Sequence, residues 1–580
     1  MLNPISLFYT EEFINSCISS LTLDPFWSED GDGKVQKIED QQRLVYLSKT
    51  LPSFGFFNLP IGNELVAVQV NGNLVRRVTE KDITSFVSTI LSKFVKGNAV
   101  LDRMTTQYAF FFDAKVLTSL RVVDKPILKD NRTTAYRFFL NGAVIVSAKS
   151  DSVTLTPYAE LNGLVWSSKV LDREITLSNN GSFVEEDILN ELTTDSGQHF
   201  HRWCQNLCKS QDHEQAWIYD QNRFKSLVSG LGYLLHRYWN DHKCVILIDE
   251  DLNTGSANGR TGKSCILNYA MLASLSGVEI PAKGITKNSN NQFIYNFVNE
   301  STEYVVFDDA TEEFDFALLF PTITGSFVAN KKYGSMTQFS NKEKPKMALS
   351  TNHRIKGSGF SYEDRQHIVA VGSYYRHHKE VLGITPDTIH GGWLLEDDWG
   401  TTNWLEFDSF MVFCLHYYLK HGLINKGSGE KYRLNKLVVS VGSPALVSTI
   451  HRFLQYNVGK ETYSYWVEEM SSDLKDRCLR DYVFSHIPEE THSTNQLSNG
   501  LNLVAEHFGF KINVGLKDRP QKRFGPSSSN RKCVNSYFIT DSKSPFPKKE
   551  ESVSVEVITE PASSNDLSPE EVQEFFGALK

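Results

Sequence analysis

The segment Ala257-Asn258-Gly259-Arg260-Thr261-Gly262-Lys263-Ser264 sets two glycines, a lysine and a hydroxyl side by side, a combination suited to the phosphates of a nucleotide. Gly259 and Gly262 allow a tight turn that brings backbone N–H groups against phosphate oxygens. A helix opening at Gly262-Lys263-Ser264 adds its positive end. Lys263 would contact the β and γ phosphates of ATP, and Ser264 would set its hydroxyl on Mg²⁺. Ala257 occupies the place where such loops usually carry a first glycine, and a small residue is tolerated there if its backbone dihedrals are ordinary.

Two further segments place chemistry at the same height. Tyr304 to Phe307 is an apolar strand that ends in Asp308 and Asp309. Asp308 would hold the Mg²⁺ shell, and Asp309 would orient or deprotonate the attacking water. The strand Lys346 to Thr351 ends in Asn352, whose amide can hydrogen-bond the γ-phosphate or the lytic water. Each has a plainer use, since acids and asparagines commonly start turns. Downstream, Arg365 precedes another apolar strand. If subunits form a ring, it could reach a neighbour's γ-phosphate as an arginine finger, with Arg354 the weaker candidate and a surface ion pair the plain alternative.

The phosphate loop, the FDDAT strand, the KMALSTN strand and a trailing arginine follow one another within about a hundred residues. In that order they resemble superfamily 3 helicases, AAA+-like replication motors of DNA viruses, phages and plasmids. The phage and poxvirus-type primase-helicase branch is the nearest likeness, because RFKSLVSGLGYLLHRYW before the core and WLLEDDWGTTNWLEFDSFMVFCLHYYLKHGL after it are also similar. The resemblance spans roughly residues 130 to 430 and implies a homo-hexameric ring that hydrolyses ATP and moves along single-stranded DNA to open forked duplex. It also implies a DNA-touching hairpin between the acidic strand and the Asn strand, where Lys331, Lys332 and Tyr333 stand between glycines. Lysines there would meet phosphates and the tyrosine would stack on a base. Solvated hairpin lysines are the plain alternative.

The elements needed to position these groups are legible in outline. Cys244 to Ile248 is a continuous β-branched and apolar run, expected of a parallel strand buried on both faces. The fold class expected is α/β, with an AAA+-like P-loop NTPase core, a mixed α/β N-terminal region, flanking helices and a C-terminal winged-helix-like domain. The divisions are 1–175 for the N-terminal domain, 176–238 for a helical segment that could form an oligomerisation collar, and 239–385 for the ATPase core. They continue with 386–430 helical, 431–544 winged-helix-like, and 545–580 an acidic tail. In the N-terminal region, helix is expected in EKDITSFVSTILSKFV and strands in ELVAVQV, YRFFLNGAVIVSA and SVTLTPY, with turns at Asn71-Gly72 and Asn141-Gly142. It lacks the alternating aspartates of a two-metal primase, since Phe110-Phe111-Phe112-Asp113 supplies one acid.

His199, His201, Cys204 and Cys208 invite a zinc reading. Both cysteines fall on one helix face, however, whereas zinc sites draw on separate turns or strands, so an ordinary amphipathic helix is expected. NQLSNGLNLVAEHFG reads as a helix closed by Gly509. Beyond it, short strands surround a basic loop with Lys517, Arg519, Lys522, Arg523, Arg531 and Lys532, a wing that would meet phosphate or an unliganded loop. The Pro-, Ser- and Glu-rich tail ends in a short helix start at Ser568-Pro569, plausible as a docking peptide for a replication partner or as a segment folding back on the core.

Composition bounds the classes. The 580 residues carry 40% apolar and 22% charged side chains, with a net charge of −9, so any nucleic-acid role needs local basic surface. Eight scattered cysteines suit reduced thiols. With no apolar run long enough for a span and no secretory leader pattern, the expectation is a soluble protein of the cytoplasm, the host's if phage-encoded. The reading is therefore an ATP-dependent replicative helicase. Its rival is an AAA+-like loader or DNA-bound assembly platform that does not unwind. Small-molecule phosphoryl transfer is more distant, disfavoured by the Asn strand and the lysine hairpin.

Overall fold

The computed structural model describes residues 4–61, 64–193, 197–212, 214–252, 259–287, 292–299, 301–332, 336–339, 344–355, 360–488, 492–513, 521–524 and 532–541. It is an α/β structure with several separate sheets and many helices. Residues 257, 258 and 333, the basic-loop residues 517, 519 and 531, and the tail 545–580 lie outside the described residues.

The centre is a five-stranded parallel sheet. Its spatial order is Gly277–Pro281, Tyr304–Ala310, Lys346–Thr351, Cys244–Asp249 and Gln366–Val371. Cys244–Asp249 is thus flanked on both sides, in register from Cys244 against Met347 and Gln366 onward. All six of its residues are buried. The alternation of side chains divides them between two cores. Val245, Leu247, Val306, Ala348 and Val369 pack on one face with the helices His199–Leu207, Gln221–Leu235 and Thr401–His421. Cys244, Ile246, Ile248, Phe307 and Leu349 pack on the other face with Phe314, Phe316 and Phe327. An apolar run without polar alternation is the pattern a two-sided strand requires.

The helix Gln221–Leu235 starts where the Asp220 carboxylate accepts the Arg223 N–H at 3.0 Å, a side-chain cap. It crosses Thr401–His421 so closely that a Cβ on Gly232 would lie 2.0 Å from the Cys414 carbonyl oxygen. Only a residue without a side chain permits that crossing. The hairpin Thr134–Phe139 with Gly142–Ser147 turns at Leu140-Asn141, one residue before the expected Asn141-Gly142, and shares this core through Ala135, Phe139, Val144 and Val146. It is tied to the central sheet by charge as well. Arg237 bridges Asp130 at 2.9 Å and Glu303 at 3.1 Å, and Glu303 directly precedes the acidic strand.

Residues 11–120 build their own core around Phe26, Tyr46, Phe54, Phe86 and Phe111, with the helix Glu80–Ser92 held by a Thr79–Asp82 capping box. Beyond the central unit, the helices Glu430–Val441, Pro444–Tyr456, Leu479–His486 and Thr494–His507 enclose Leu446, Ile450, Phe453, Leu497, Leu501 and Val504. The long strand Lys532–Thr540 closes that core with Tyr537 and Ile539 and pairs with Glu461–Tyr463, Lys511–Ile512 and Gln521–Phe524. Among the described residues no single helix is long and apolar enough to cross a membrane.

Candidate functional site

Parallel strands end at one edge of a sheet, so strand order alone gathers the ends of Cys244–Asp249, Tyr304–Ala310 and Lys346–Thr351. In doubly wound sheets ligands bind at that carboxyl edge. The chain leaving Asp249 returns at Gly259, turns through Arg260 at φ +66° and Gly262 at φ +100°, and enters a helix at Lys263. A Cβ on Gly262 would stand 2.9 Å from the Trp203 ring, so the loop lies directly on the helix His199–Leu207. The first turn at Lys263 leads into a π-helical stretch, Cys265–Ala270.

Lys263 is buried, and all three of its ammonium hydrogens have acceptors. It ion-pairs with Asp249 and donates to Thr261 Oγ1 at 2.9 Å and to Asn352 Oδ1 at 2.6 Å. Thr261 in turn donates its hydroxyl to Asp249 Oδ1 at 2.7 Å. Burial draws the lysine below its ordinary range, and the Asp249 carboxylate works against that shift. Asn352 also closes over the loop, since a Cβ on Gly259 would sit 3.9 Å from its Nδ2. Lys263 and Asn352, which stand in two separate sequence motifs, are therefore one contact.

Asp308 and Asp309 sit in a bulge. The register of Tyr304–Ala310 on Lys346–Thr351 shifts between Phe307 and Ala310, and Asp309 has φ +53°. Ser350 Oγ holds the bulge from both sides, donating to Asp308 Oδ1 at 2.7 Å and accepting the Asp309 N–H at 2.8 Å. Asp309 is thereby turned to the exposed side, close enough to the lysine for its charge to raise the Lys263 pKa. Non-glycine residues take left-handed φ at a cost and tend to be found where function requires it. Ser264, exposed, presents a hydroxyl at the helix start. A serine hydroxyl and aspartate carboxylates are hard-oxygen donors of the kind that suits Mg²⁺ held jointly with phosphate.

Arg365 lies at the other end of the sheet. Its carbonyl accepts from Cys244 N at 2.8 Å, at the amino edge. Its guanidinium donates to Ser361 O at 2.7 Å and stacks 4.7 Å from the Phe320 ring centre. A six-residue strand, about 20 Å at the usual rise, separates that edge from the one carrying Lys263. Arg354 donates to Ser440 Oγ at 2.6 Å.

The hairpin Phe327–Ala329 with Thr337–Phe339 leads into Lys331, half-buried, and Lys332, exposed. A second loop braces it. Lys332 N donates to Asn296 Oδ1 at 2.9 Å, and Asn330 donates to Gln292 O at 3.4 Å. On that loop Phe297 is 76% exposed and Phe293 37%. Aromatic faces beside lysines form a platform on which bases stack.

Three features escape a reading of the sequence by motif. Asp249 ends an apolar strand just as Asp308 does, which is a usable signal. Phe297 carries none, because exposure decides its role. The buried pair of Arg223 Nη1 with Glu250 Oε2 at 2.9 Å, joined by Ser210 Oγ at 2.6 Å, fixes the residue after Asp249 from two distant segments. His199, His201, Cys204 and Cys208 form no metal-binding group among the described residues. Both cysteines are buried in the core, and burial pushes their thiols far up.

No family model matches the chain, and no curated protein does. Among solved structures, the A form apo structure of the NrS-1 C terminal region aligns at 9% identity over 85% of this chain and 98% of that one, with a TM-score of 0.38. An apo structure of the same region (305-718) aligns at 10% identity over 86% and 100%, with a TM-score of 0.36. At this level the likeness carries no argument about fold or function.

Proposed function

We propose that the chain is the ATP-hydrolysing subunit of a ring-shaped replicative DNA helicase of a phage, virus or mobile element, dependent on Mg²⁺. The observation that carries the reading is the meeting of Lys263, Asp249 and Asn352 beside the Asp308-Asp309 bulge, at the carboxyl edge of one parallel sheet. In this reading Gly259 to Ser264, together with Ala257 and Asn258, receive the triphosphate. Lys263 exchanges the Asp249 contact for β and γ phosphate oxygens, which keeps its charge paired throughout. Asn352, already at the lysine, would sense the γ-phosphate. Ser264 and Asp308 would hold Mg²⁺, which offsets phosphate charge when bound. Asp309 orients the water.

Arg365, at the opposite edge, can serve only a neighbouring subunit's nucleotide. The lysine hairpin and Phe297 would grip single-stranded DNA, phosphate by charge and base by stacking. ATP hydrolysis by wild type and Lys263→Ala, with and without single-stranded DNA, tests the nucleotide assignment. Turnover that survives in the variant removes it. Hydrolysis without unwinding of a forked duplex moves the assignment to a loader or assembly platform.

A further inference from the structure

Three large apolar side chains are left outside the core around the hairpin Phe327–Ala329 with Thr337–Phe339. Phe293 and Phe297 are exposed, and Met336 is 60% exposed. On the bracing loop Tyr295 and Val298 pack inward, the Tyr295 ring 4.5 Å from that of Phe327, which puts Phe293 and Phe297 on the outer side. Met336 stands one residue before Thr337, which pairs with Ala329. The bonds from Asn330 to Gln292 O and from Lys332 N to Asn296 hold loop and hairpin side by side. Within 292–299, 327–332 and 336–339 there are two lysines, Lys331 and Lys332, and no acid. Single exposed apolar residues are ordinary, whereas several together mark a surface that something covers.

The segment 550–579 has the complementary composition. It holds eight acids and no lysine or arginine, and so accounts for all but one unit of the net charge of −9. Val572, Phe575, Phe576 and Leu579 are spaced i, i+3, i+4 and i+7, the pattern that gathers apolar groups on one face of a helix. That spacing sets Glu570 and Glu574 opposite the apolar face and Glu571 at its margin. An amphipathic helix of this kind docks by laying its apolar face on an apolar surface. The 30 residues between Asp541 and Val572 span at most about 100 Å, enough to reach the hairpin of the same chain. A tethered ligand then acts at an effective concentration on the order of millimolar. A dense acidic segment on a protein that grips DNA repels its ligand unless the segment is itself held in place.

We propose that residues 568–579 dock on the Lys331-Lys332 hairpin and the Phe293–Phe297 loop of their own chain, with Val572, Phe575 and Phe576 against the exposed rings and the acids towards the lysines. The proposal rests on the DNA role given above to this hairpin, and adds that the chain carries its own competitor. Carboxylates and phenyl rings take the lysines and aromatic faces that phosphates and bases would use, so a single strand binds only by displacing the tail.

Carbodiimide, which condenses a carboxylate with a lysine amine, tests the docking on the full-length protein without DNA or nucleotide. The expected cross-links, located by mass spectrometry, run from Glu570, Glu571 or Glu574 to Lys331 or Lys332, and are lost in Phe575→Ala with Phe576→Ala. That double variant should bind an oligo-dT strand on the order of tenfold more tightly than wild type, with unchanged thermal melting. Cross-links to other lysines only, none at all, or cross-links chiefly between copies in a mixture of isotope-labelled and unlabelled protein overturn the proposal. So does a double variant that binds the strand no more tightly than a wild type that binds it. Cross-links at Lys331 or Lys332 in a protein that binds no single strand uphold the docking and remove the DNA role instead, which keeps the two failures apart.

Discussion

The Lys263 ammonium donates to the Asn352 side-chain oxygen at 2.6 Å, joining the Gly259–Lys263 loop to a strand end 89 residues further along the chain. The contact makes the loop and the Asn strand a single device. It also predicts how they fail. Asn352→Ala should keep nucleotide affinity within a few-fold and lower kcat by about a hundredfold, as loss of one well-placed polar contact at a reacting group does. A rise in KM with unchanged kcat would show that Asn352 only binds.

The Asp309 backbone at φ +53° separates two roles of one residue. Asp309→Asn retains a side chain that tolerates this conformation, so the variant should melt as wild type does and lose hydrolysis. Asp309→Val should also lose about 1–2 kcal/mol of stability, because a β-branched residue resists left-handed φ. Equal melting of the two variants would place the bulge elsewhere.

Since Arg365 and Lys263 occupy opposite sheet edges, each should be needed in a different subunit. Arg365→Ala and Lys263→Ala should each be inactive alone. Mixed, they should recover a measurable fraction of hydrolysis at interfaces that combine the intact loop of one subunit with the intact arginine of the next. No recovery at any ratio argues against an arginine acting between subunits.

Phe297, exposed beside Lys332, should matter only when DNA is present. Phe297→Ala should leave basal hydrolysis and melting unchanged and weaken single-strand binding by roughly tenfold, the scale of one lost stacking contact. Lys331→Ala with Lys332→Ala should abolish the stimulation by single strands. Undiminished stimulation in both would remove the DNA role of this hairpin.

His201, His236 and His367 are held at about 4 by burial, each with Nε2 on a backbone carbonyl, of Ile188, Asn131 and Ser226 respectively. In the unfolded chain each protonates near its ordinary value of about 6.5. Between those values the unfolded state binds more protons. Stability present above about pH 6.5 is therefore lost as pH falls towards 4, by about 1.4 kcal/mol per pH unit for each histidine. Urea midpoints at pH 7, 6 and 5 should fall accordingly, and a flat series contradicts the neutral buried rings.

The parts of this arrangement that were legible beforehand are those where chemistry and local pattern coincide. Cys244 to Ile248 is apolar without alternation and forms the strand flanked on both sides. EKDITSFVSTILS, with Thr79 before it, forms a capped helix, and a hairpin turns at Leu140-Asn141, one residue earlier than the Asn-Gly pair suggested. Motif spacing pointed to Lys263, Asp308, Asp309 and Asn352, and the strand order gathers them. Contacts between distant segments were not legible. Asp249 reads as a strand end until Lys263 folds onto it, and Ser350 reads as filler until the bulge forms around its hydroxyl. Glu250 depends on Arg223 and Ser210, which nothing in local sequence connects to it. Exposure, which gives Phe297 its interest, is a property of the assembled surface.

The most direct test of the central claim measures ATP hydrolysis and forked-duplex unwinding together, for wild type and Lys263→Ala, with and without single-stranded DNA. The motor account predicts hydrolysis stimulated by single strands and coupled to unwinding in wild type, with both lost in the variant. Wild-type protein that neither hydrolyses ATP nor unwinds duplex, or a variant that does both, contradicts it.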